Sequence, residues 1–267
     1  MKLSIVVPVY NEKPTLDLLL SLVESLQLPC EKQILVVDDG SSDGSKEIAA
    51  SHGSVRLISH SVNQGKGAAI RDGLRYADGE FVCIQDADME YIPSDIPSLV
   101  IALLREVRVA VFGTRFATKP KDMSFPHYVG NLAISMLARL LYRTNITDIM
   151  TGYKLFPKEI TKLGELDVAN FGFEIEATAR ILKMGYRVVE VPIHYSARRA
   201  GKKITWADGL LSVYYLFKYR FRLKAPRLQF VADLLLKYSR LRIPHHVKES
   251  QQRSETQGVQ YILQLTR

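Results

Sequence analysis

Two short acidic turns carry most of the chemistry written into this chain. Asp38-Asp39-Gly40-Ser41 follows the apolar run Ile34-Leu35-Val36-Val37, and Asp86-Ala87-Asp88 follows Phe81-Val82-Cys83-Ile84. Short apolar runs bounded by turn residues read as buried strands. In a parallel α/β sheet the strand ends open onto one edge, where ligands bind in a crevice. Two carboxylates separated by one residue on such a turn can hold a hard divalent cation, which in turn can hold a diphosphate. The pattern reads as a site for a metal–nucleotide.

Other candidate groups sit at similar places. Pro8-Val9-Tyr10-Asn11-Glu12 closes the first strand. Tyr10 offers a flat face for a base and Glu12 an acceptor for base or ribose, although a turn capped by Asn11 would use the same residues. In Asp38-Asp39-Gly40-Ser41-Ser42-Asp43-Gly44, one carboxylate can receive nucleobase N–H groups while the other secures the turn, and Asp43 can serve as a helix cap. Asn63-Gln64-Gly65-Lys66-Gly67 is too short for a P-loop, yet glycines and Lys66 at a helix start suit an anionic ligand. Gly113-Thr114-Arg115-Phe116 puts Arg115 at a strand end, within reach of a phosphate. Thr151-Gly152-Tyr153-Lys154 and Phe173-Glu174-Ile175-Glu176 follow, and Arg198-Arg199-Ala200-Gly201-Lys202-Lys203 is a basic loop suited to phosphates.

These groups need a scaffold that brings strand ends together. Strands are predicted at 3–9, 33–38, 55–59, 81–85, 109–114 and 187–193, and helices at 14–27, 44–51, 66–77, 94–105, 126–144 and 173–184. Such alternation implies an α/β fold, a mainly parallel central sheet with helices on both faces. After Tyr195 the character changes. Trp206, Leu210, Val213, Tyr214, Phe217 and Phe221 form one helical stripe, and 227–242 repeats the theme after Pro226. The expected division is a catalytic domain at 1–204, amphipathic basic helices at 205–243 and a disordered tail at 244–267.

Charge is unevenly placed. Residues 198–243 hold twelve Lys and Arg against Asp208 and Asp233, while the whole chain carries +8, so the remainder is close to neutral. Basic residues confined to an aromatic-rich stretch point to an anionic surface or a phosphorylated ligand, and no nucleic-acid partner is expected. Two cysteines, Cys30 and Cys83, are too few for a disulfide framework and read as reduced core residues of a cytosolic protein. Met1-Lys2 leads straight into the first strand, so no signal peptide is expected, and no apolar run is long enough to span a bilayer. The absence of Gly-x-Gly-x-x-Gly after the first strand argues against a Rossmann dehydrogenase.

In order along the chain, Val-Pro-Val-Tyr-Asn-Glu, Val-Asp-Asp-Gly-Ser, Asn-Gln-Gly-Lys-Gly, Asp-Ala-Asp, Gly-Thr-Arg-Phe, Thr-Gly-Tyr-Lys, Phe-Glu-Ile-Glu and the Arg/Gly/Lys loop resemble the inverting family 2 glycosyltransferases of GT-A fold. Within them the likeness is to the dolichol-phosphate and polyprenyl-phosphate mannose or glucose synthases, over roughly residues 3–223. The resemblance implies a nucleotide-sugar donor (GDP-mannose or UDP-glucose), a polyprenyl phosphate acceptor and Mg²⁺ or Mn²⁺. Pro8, Tyr10, Glu12 and Asp39 would hold the nucleoside, with Asp86 and Ala87 near ribose and diphosphate. Asp88 would bind the metal, with Asp86 beside it and Glu90 where the family often has Gln. Arg115, Arg198 and Lys203 would neutralise donor and acceptor phosphates. The loop lacks the family's Ser before Lys, which leaves Lys202 and Lys203 as alternatives. The C-terminal helices would then rest on the cytoplasmic face of a membrane. Two other readings stand beside this one. A soluble transferase acting on a hydroxyl of a glycan, protein or small molecule would need Asp148, Glu174 or Glu176 as base, and a non-catalytic module would bind a nucleotide sugar, or nucleic acid through its basic end, without turnover.

Overall fold

Strand ends gather at one edge because the first four strands all run parallel. A computed structural model describes residues 1–117, 123–163, 172–196 and 206–222, all within one compact unit, Met1–Ala225. The strands are β1 (Lys2–Val9), β2 (Glu31–Asp38), β3 (Val55–Ser59), β4 (Phe81–Ile84), β5 (Val109–Thr114), β6 (Lys154–Pro157) and β7 (Arg187–Pro192). Their order in the sheet is β3-β2-β1-β4-β6-β5-β7. Val9 pairs with Asp38 and Val6 with Ile84, so the two acidic turns leave the sheet on either side of the β1 exit.

The helices are α1 (Lys13–Ser25), α2 (Ser45–Ser51), α3 (Lys66–Tyr76), α4 (Ile96–Arg105), α5 (Phe125–Tyr142), α6 (Phe173–Lys183) and α7 (Trp206–Arg222). Apolar spacing explains the packed faces. Leu16, Leu19, Leu20 and Val23 are buried on α1, and Ile96, Leu99, Val100 and Leu103 on α4. Gly73 sets how closely α3 lies on the sheet. A Cβ there would stand 2.4 Å from Val6 Cγ1 and 3.3 Å from Val37 Cγ2.

The sequence reading departs from this structure in several places. It missed β6, four buried residues that run antiparallel to both β4 and β5. Lys-Leu-Phe-Pro shows neither alternation nor β-branched residues, so nothing in its pattern announces a strand. The fourth strand ends at Ile84 rather than 85, because the Gln85 side chain turns inward to bond the carbonyls of Asp86 and Tyr91. The helix expected from 94 starts at Ile96 after a 3₁₀ turn at Pro93–Asp95. Cys83 is core, but Cys30 is half-exposed before β2. On α7, Ser212, Leu216 and Tyr219 are buried, whereas Leu210, Tyr214, Phe217 and Phe221 of the expected stripe are exposed. The helix packs on α5 and α6, and Tyr142 donates its hydroxyl to the Leu216 carbonyl at 2.8 Å.

Lys154 is an unusual core residue. Its side chain is fully buried, its ammonium donates to the Ile149 carbonyl at 2.9 Å and lies 3.8 Å from the centre of the Phe112 ring. Burial pulls its pKa down to about 7, against the attraction of Glu174 and Asp148. The unfolded chain, with an ordinary lysine at 10.5, binds more protons across that window. Stability should therefore rise as pH climbs from about 7 towards the unfolded value, with a limiting slope of about 1.4 kcal/mol per pH unit. In Lys154→Met this component should vanish. Urea denaturation of both proteins between about pH 7 and 9 tests it, and parallel slopes would show that Lys154 stays charged in the fold.

Candidate active site

The loops at the sheet edge are held by a few side chains bonded to backbone groups. Asn11, in the left-handed region at φ 56, does not cap α1; its Oδ1 accepts the Ser42 N–H while its own N–H donates to Ser41 Oγ. Asp43 accepts the N–H groups of Lys13 and Ser45, and Glu12 N–H donates to Ser45 Oγ. The first two βα turns are therefore one stitched surface. Pro8 and Glu12 are half-buried on it, while Tyr10 is 41% exposed and presents its ring at the rim.

Asp39 anchors the third turn. One carboxylate oxygen accepts the Gln64 N–H at 2.9 Å and lies 2.6 Å from His60 Nδ1; the other accepts the Gly65 N–H at 2.8 Å. His60 in turn meets Asp72 through Nε2 at 3.0 Å. A carboxylate has about four acceptor positions, so Asp39 keeps one beside Gly65. Neighbouring Asp38 is buried, and its Oδ1 has no hydrogen-bond partner among the described residues.

Lys66 is the electrostatic centre. Its ammonium lies 2.8 Å from Asp86 Oδ1 and 3.2 Å from Glu174 Oε1, joining α3, the turn after β4 and α6. Burial opposes its charge, but Asp86 and Glu174 outweigh that and hold its pKa above the ordinary lysine value. Asp88 Oδ1 accepts the Glu90 N–H at 3.0 Å, closing a tight turn with Met89 at φ 59. Glu90 Oε2 accepts the Tyr195 hydroxyl at 3.0 Å, and its carbonyl accepts the Ser196 N–H. The turn is thus tied to the chain leaving β7. Ala87 is buried, and its carbonyl accepts from Thr15 Oγ1.

Across the sheet, Arg115 and Asp148 form a buried bidentate pair, Nε and Nη2 donating at 2.8 and 2.7 Å. The Arg115 guanidinium also lies 5.3 Å from the centre of the Tyr195 ring. Asp148 is fixed by its N–H on Glu190, and Thr147 donates to the same carboxylate through both its N–H, shared between the two oxygens, and its Oγ1. Glu176 is fully buried and paired with Arg180 one turn along α6, at 2.6 Å.

The structure thus brings together Tyr10, Glu12, Asp39, Lys66, Asp86, Ala87, Asp88 and Glu90 along neighbouring strand ends, with Arg115 beyond β6. Arg198 and Lys203 lie outside the described residues, as do residues 223–267. Sequence reasoning overlooked His60, Tyr91 and Tyr195, and it quoted Gly152 only as part of a motif, with no role. The position of His60, directly after a strand, was a usable signal. Gly152 is required by proximity, since a Cβ there would stand 2.6 Å from Asp86 Oδ2 and 3.2 Å from Tyr91 Cε2.

Comparison with known proteins gives a consistent picture. The model of the family described as Glycosyl transferase family 2 matches residues 4–164. Undecaprenyl-phosphate mannosyltransferase of Micrococcus luteus is 32% identical over 216 residues, which are 76% of this chain and 86% of that protein. Dolichol-phosphate mannosyltransferase of Pyrococcus furiosus is 29% identical over 232 residues, 82% of this chain but 64% of the relative, less than two thirds of its length. Among solved structures, glucosyl-3-phosphoglycerate synthase of Mycobacterium tuberculosis, with Mn²⁺, UDP and phosphoglyceric acid, matches with a TM-score of 0.64 at 19% identity, covering 85% of this chain and 80% of that one. Mannosyl-3-phosphoglycerate synthase of Rubrobacter xylanophilus gives 0.64 at 20% identity, over 94% and 79%.

The Lys66 bridge makes a direct prediction. Lys66→Met leaves Asp86 and Glu174 facing each other and should lose about 2 kcal/mol, since removing one partner of a largely buried pair strands the others. Adding Glu174→Gln should recover part of that loss. Urea denaturation of the double-mutant cycle reads the coupling, and simple additivity would show that the ammonium does not bridge the two acids.

Proposed function

We propose, from the premise that this chain belongs to glycosyl transferase family 2 and has a GT-A fold, that it transfers a hexose from GDP-mannose or UDP-glucose to a polyprenyl phosphate. The observation that carries this reading is the pairing of the site's acids. A hydroxyl acceptor needs a carboxylate base. Asp148 is held by Arg115, Glu174 by Lys66 and Glu176 by Arg180, so each of these carboxylates is already committed to a cation of the protein and is turned away from an acceptor hydroxyl's proton. A lipid phosphate arrives already ionised and needs only positioning and screening. The names of the two mannosyltransferase relatives agree with such an acceptor.

The oxygen donors fit a hard cation. Asp86 and Asp88 offer carboxylates one residue apart, with Glu90 next along the turn, and no cluster of three or more candidate ligands occurs among the described residues. One or two carboxylates completed by substrate phosphates is the arrangement Mg²⁺ favours, and it serves Mn²⁺ as well. When bound, the cation would neutralise charge developing on the departing diphosphate. The protein's own groups do the rest. Asp39 has an acceptor position for a base N–H, Tyr10 a ring face for the base, and Glu12 an acceptor for base or ribose. Lys66 adds a fixed positive charge beside Asp86. Arg115 gives two of its five N–H donors to Asp148, which fixes the guanidinium so that others can meet a phosphate. With acceptor and leaving group on opposite sides of the anomeric carbon, its configuration inverts.

No helix among the described residues is long and apolar enough to cross a membrane. The exposed Leu210, Tyr214, Phe217 and Phe221 of α7, with Lys218, Arg220 and Arg222 on the same helix, suit peripheral contact with an anionic, cytoplasm-facing surface.

The test is transfer of labelled sugar into an organic-extractable lipid, with each donor in parallel, Mg²⁺ or Mn²⁺, and polyprenyl phosphate. Label should enter the lipid from one donor, and Asp88→Ala should reduce it by at least about 100-fold, the scale for losing one group at a developing charge. Label appearing instead on a hydroxyl acceptor, such as phosphoglycerate, would overturn the lipid assignment.

A further inference from the structure

Helix α5 is apolar and exposed at once. Of its 18 residues only Ser135 and Ala138 are buried. Phe125, Val129, Leu132, Met136 and Leu140 recur at one-turn spacing on a single face, and Phe125, Met136 and Leu140 are 72%, 62% and 70% exposed. Continuous apolar faces of this kind mark binding surfaces. Along the last three turns of α5 the surface dips into a groove of about 560 Å³, within the range of small-molecule sites. Leu132, Met136 and Leu140 form its apolar wall, and Arg139 and Arg143 are the charged residues of its otherwise neutral polar lining. Residues 123–147 contain no Asp or Glu, and neither arginine makes an ion pair among the described residues. The acid that approaches the groove, Glu190, has its oxygens on the N–H groups of Thr147 and Asp148 and on Thr147 Oγ1, so an apolar track beside the two arginines complements an amphiphile with an apolar chain and one anionic head.

The groove also leads towards the sheet edge. Thr147 Oγ1 lies 3.2 Å from Thr114 Oγ1, and the residues that follow each of them are the paired Asp148 and Arg115.

We propose that this groove binds the isoprenoid stem of a polyprenyl phosphate, with the chain along Leu132, Met136 and Leu140 and the phosphate at the Arg139–Arg143 end. The groove is the track by which the lipid approaches Arg115. This rests on the lipid-phosphate reading above and deepens it by naming where the chain lies. Because the wall residues are exposed, polar substitution there leaves the core untouched.

The experiment is calorimetric binding of farnesyl phosphate to the full chain, with farnesol and inorganic phosphate as separate ligands. Wild type should bind farnesyl phosphate more tightly than either part. Met136→Gln with Leu140→Gln, and separately Arg139→Gln with Arg143→Gln, should each weaken it about tenfold. No binding by wild type, unchanged binding in either pair, or equal binding of inorganic phosphate would each overturn the groove. So would a wild-type dimer that the apolar pair dissociates without loss of lipid binding, since the face would then be an interface between copies. In the transfer assay the apolar pair should raise KM for long polyprenyl phosphate about tenfold, with kcat and donor KM unchanged. Wild type that binds farnesyl phosphate yet labels no lipid would sink the acceptor assignment and keep the groove. Lipid labelling with an unchanged acceptor KM would do the reverse.

Discussion

Gathering carboxylates at one edge of a parallel sheet sets a like-charge problem, and the rest of this structure is organised by its solution. Asp39, Asp86, Asp148 and Glu174 cannot all be partly buried and ionised near one another without nearby cations or hydrogen-bond donors. Each finds them on another element. Lys66 comes from the start of α3 to Asp86 and Glu174, Arg115 from the end of β5 to Asp148, and Asp39 takes two backbone N–H groups of the α3 turn beside His60. The bonds that settle charge are the same bonds that align loops far apart in sequence. Lys66 and Glu174 are 108 residues apart, and Arg115 and Asp148 are 33. Site and fold share one set of interactions.

That sharing explains which parts of the site could be read from the sequence. Asp86, Asp88 and Asp39 were legible because each follows a strong apolar run and lies in a turn, where local pattern alone fixes position. The pairing of Asp148, Glu174 and Glu176 was not. A helix acid at the start of α6 looks the same whether it faces water or an ammonium from α3, and only the sheet order decides. The same limit hid β6. It inserts antiparallel between β4 and β5, so its partners are set by topology, and its central residues are determined by what they fill. Gly152, just before it, leaves room for the Asp86 carboxylate, and Lys154 puts an amine where neighbouring strands place aliphatic chains.

The helices show a different limit. Period 3.6 announces that α7 is amphipathic but does not say which face the domain takes. The larger apolar stripe of Leu210, Tyr214, Phe217 and Phe221 faces out. The packed line is Ser212, Leu216 and Tyr219, small where helices approach and large where Tyr219 fills the interior. Docking on α5 and α6 uses that line, so the stripe stays available without any change in the fold.

Two adjoining helices that keep their apolar sides outward are a costly arrangement for a protein that meets only water. Apolar burial is the main driving force of folding, and this domain leaves a Met, three Phe and several Leu side chains out of it on α5 and α7 while enclosing Lys154 in its core. The two choices are consistent if the outward faces meet an apolar partner in use. Arginines rather than carboxylates flank those faces, which restricts the partner to one that is anionic as well as apolar. Asp148, Glu174 and Glu176, each committed to a cation of the protein, restrict the acceptor in the same direction. A substrate that brings its own negative charge and its own apolar stem meets both conditions at once, whereas a neutral sugar hydroxyl meets neither.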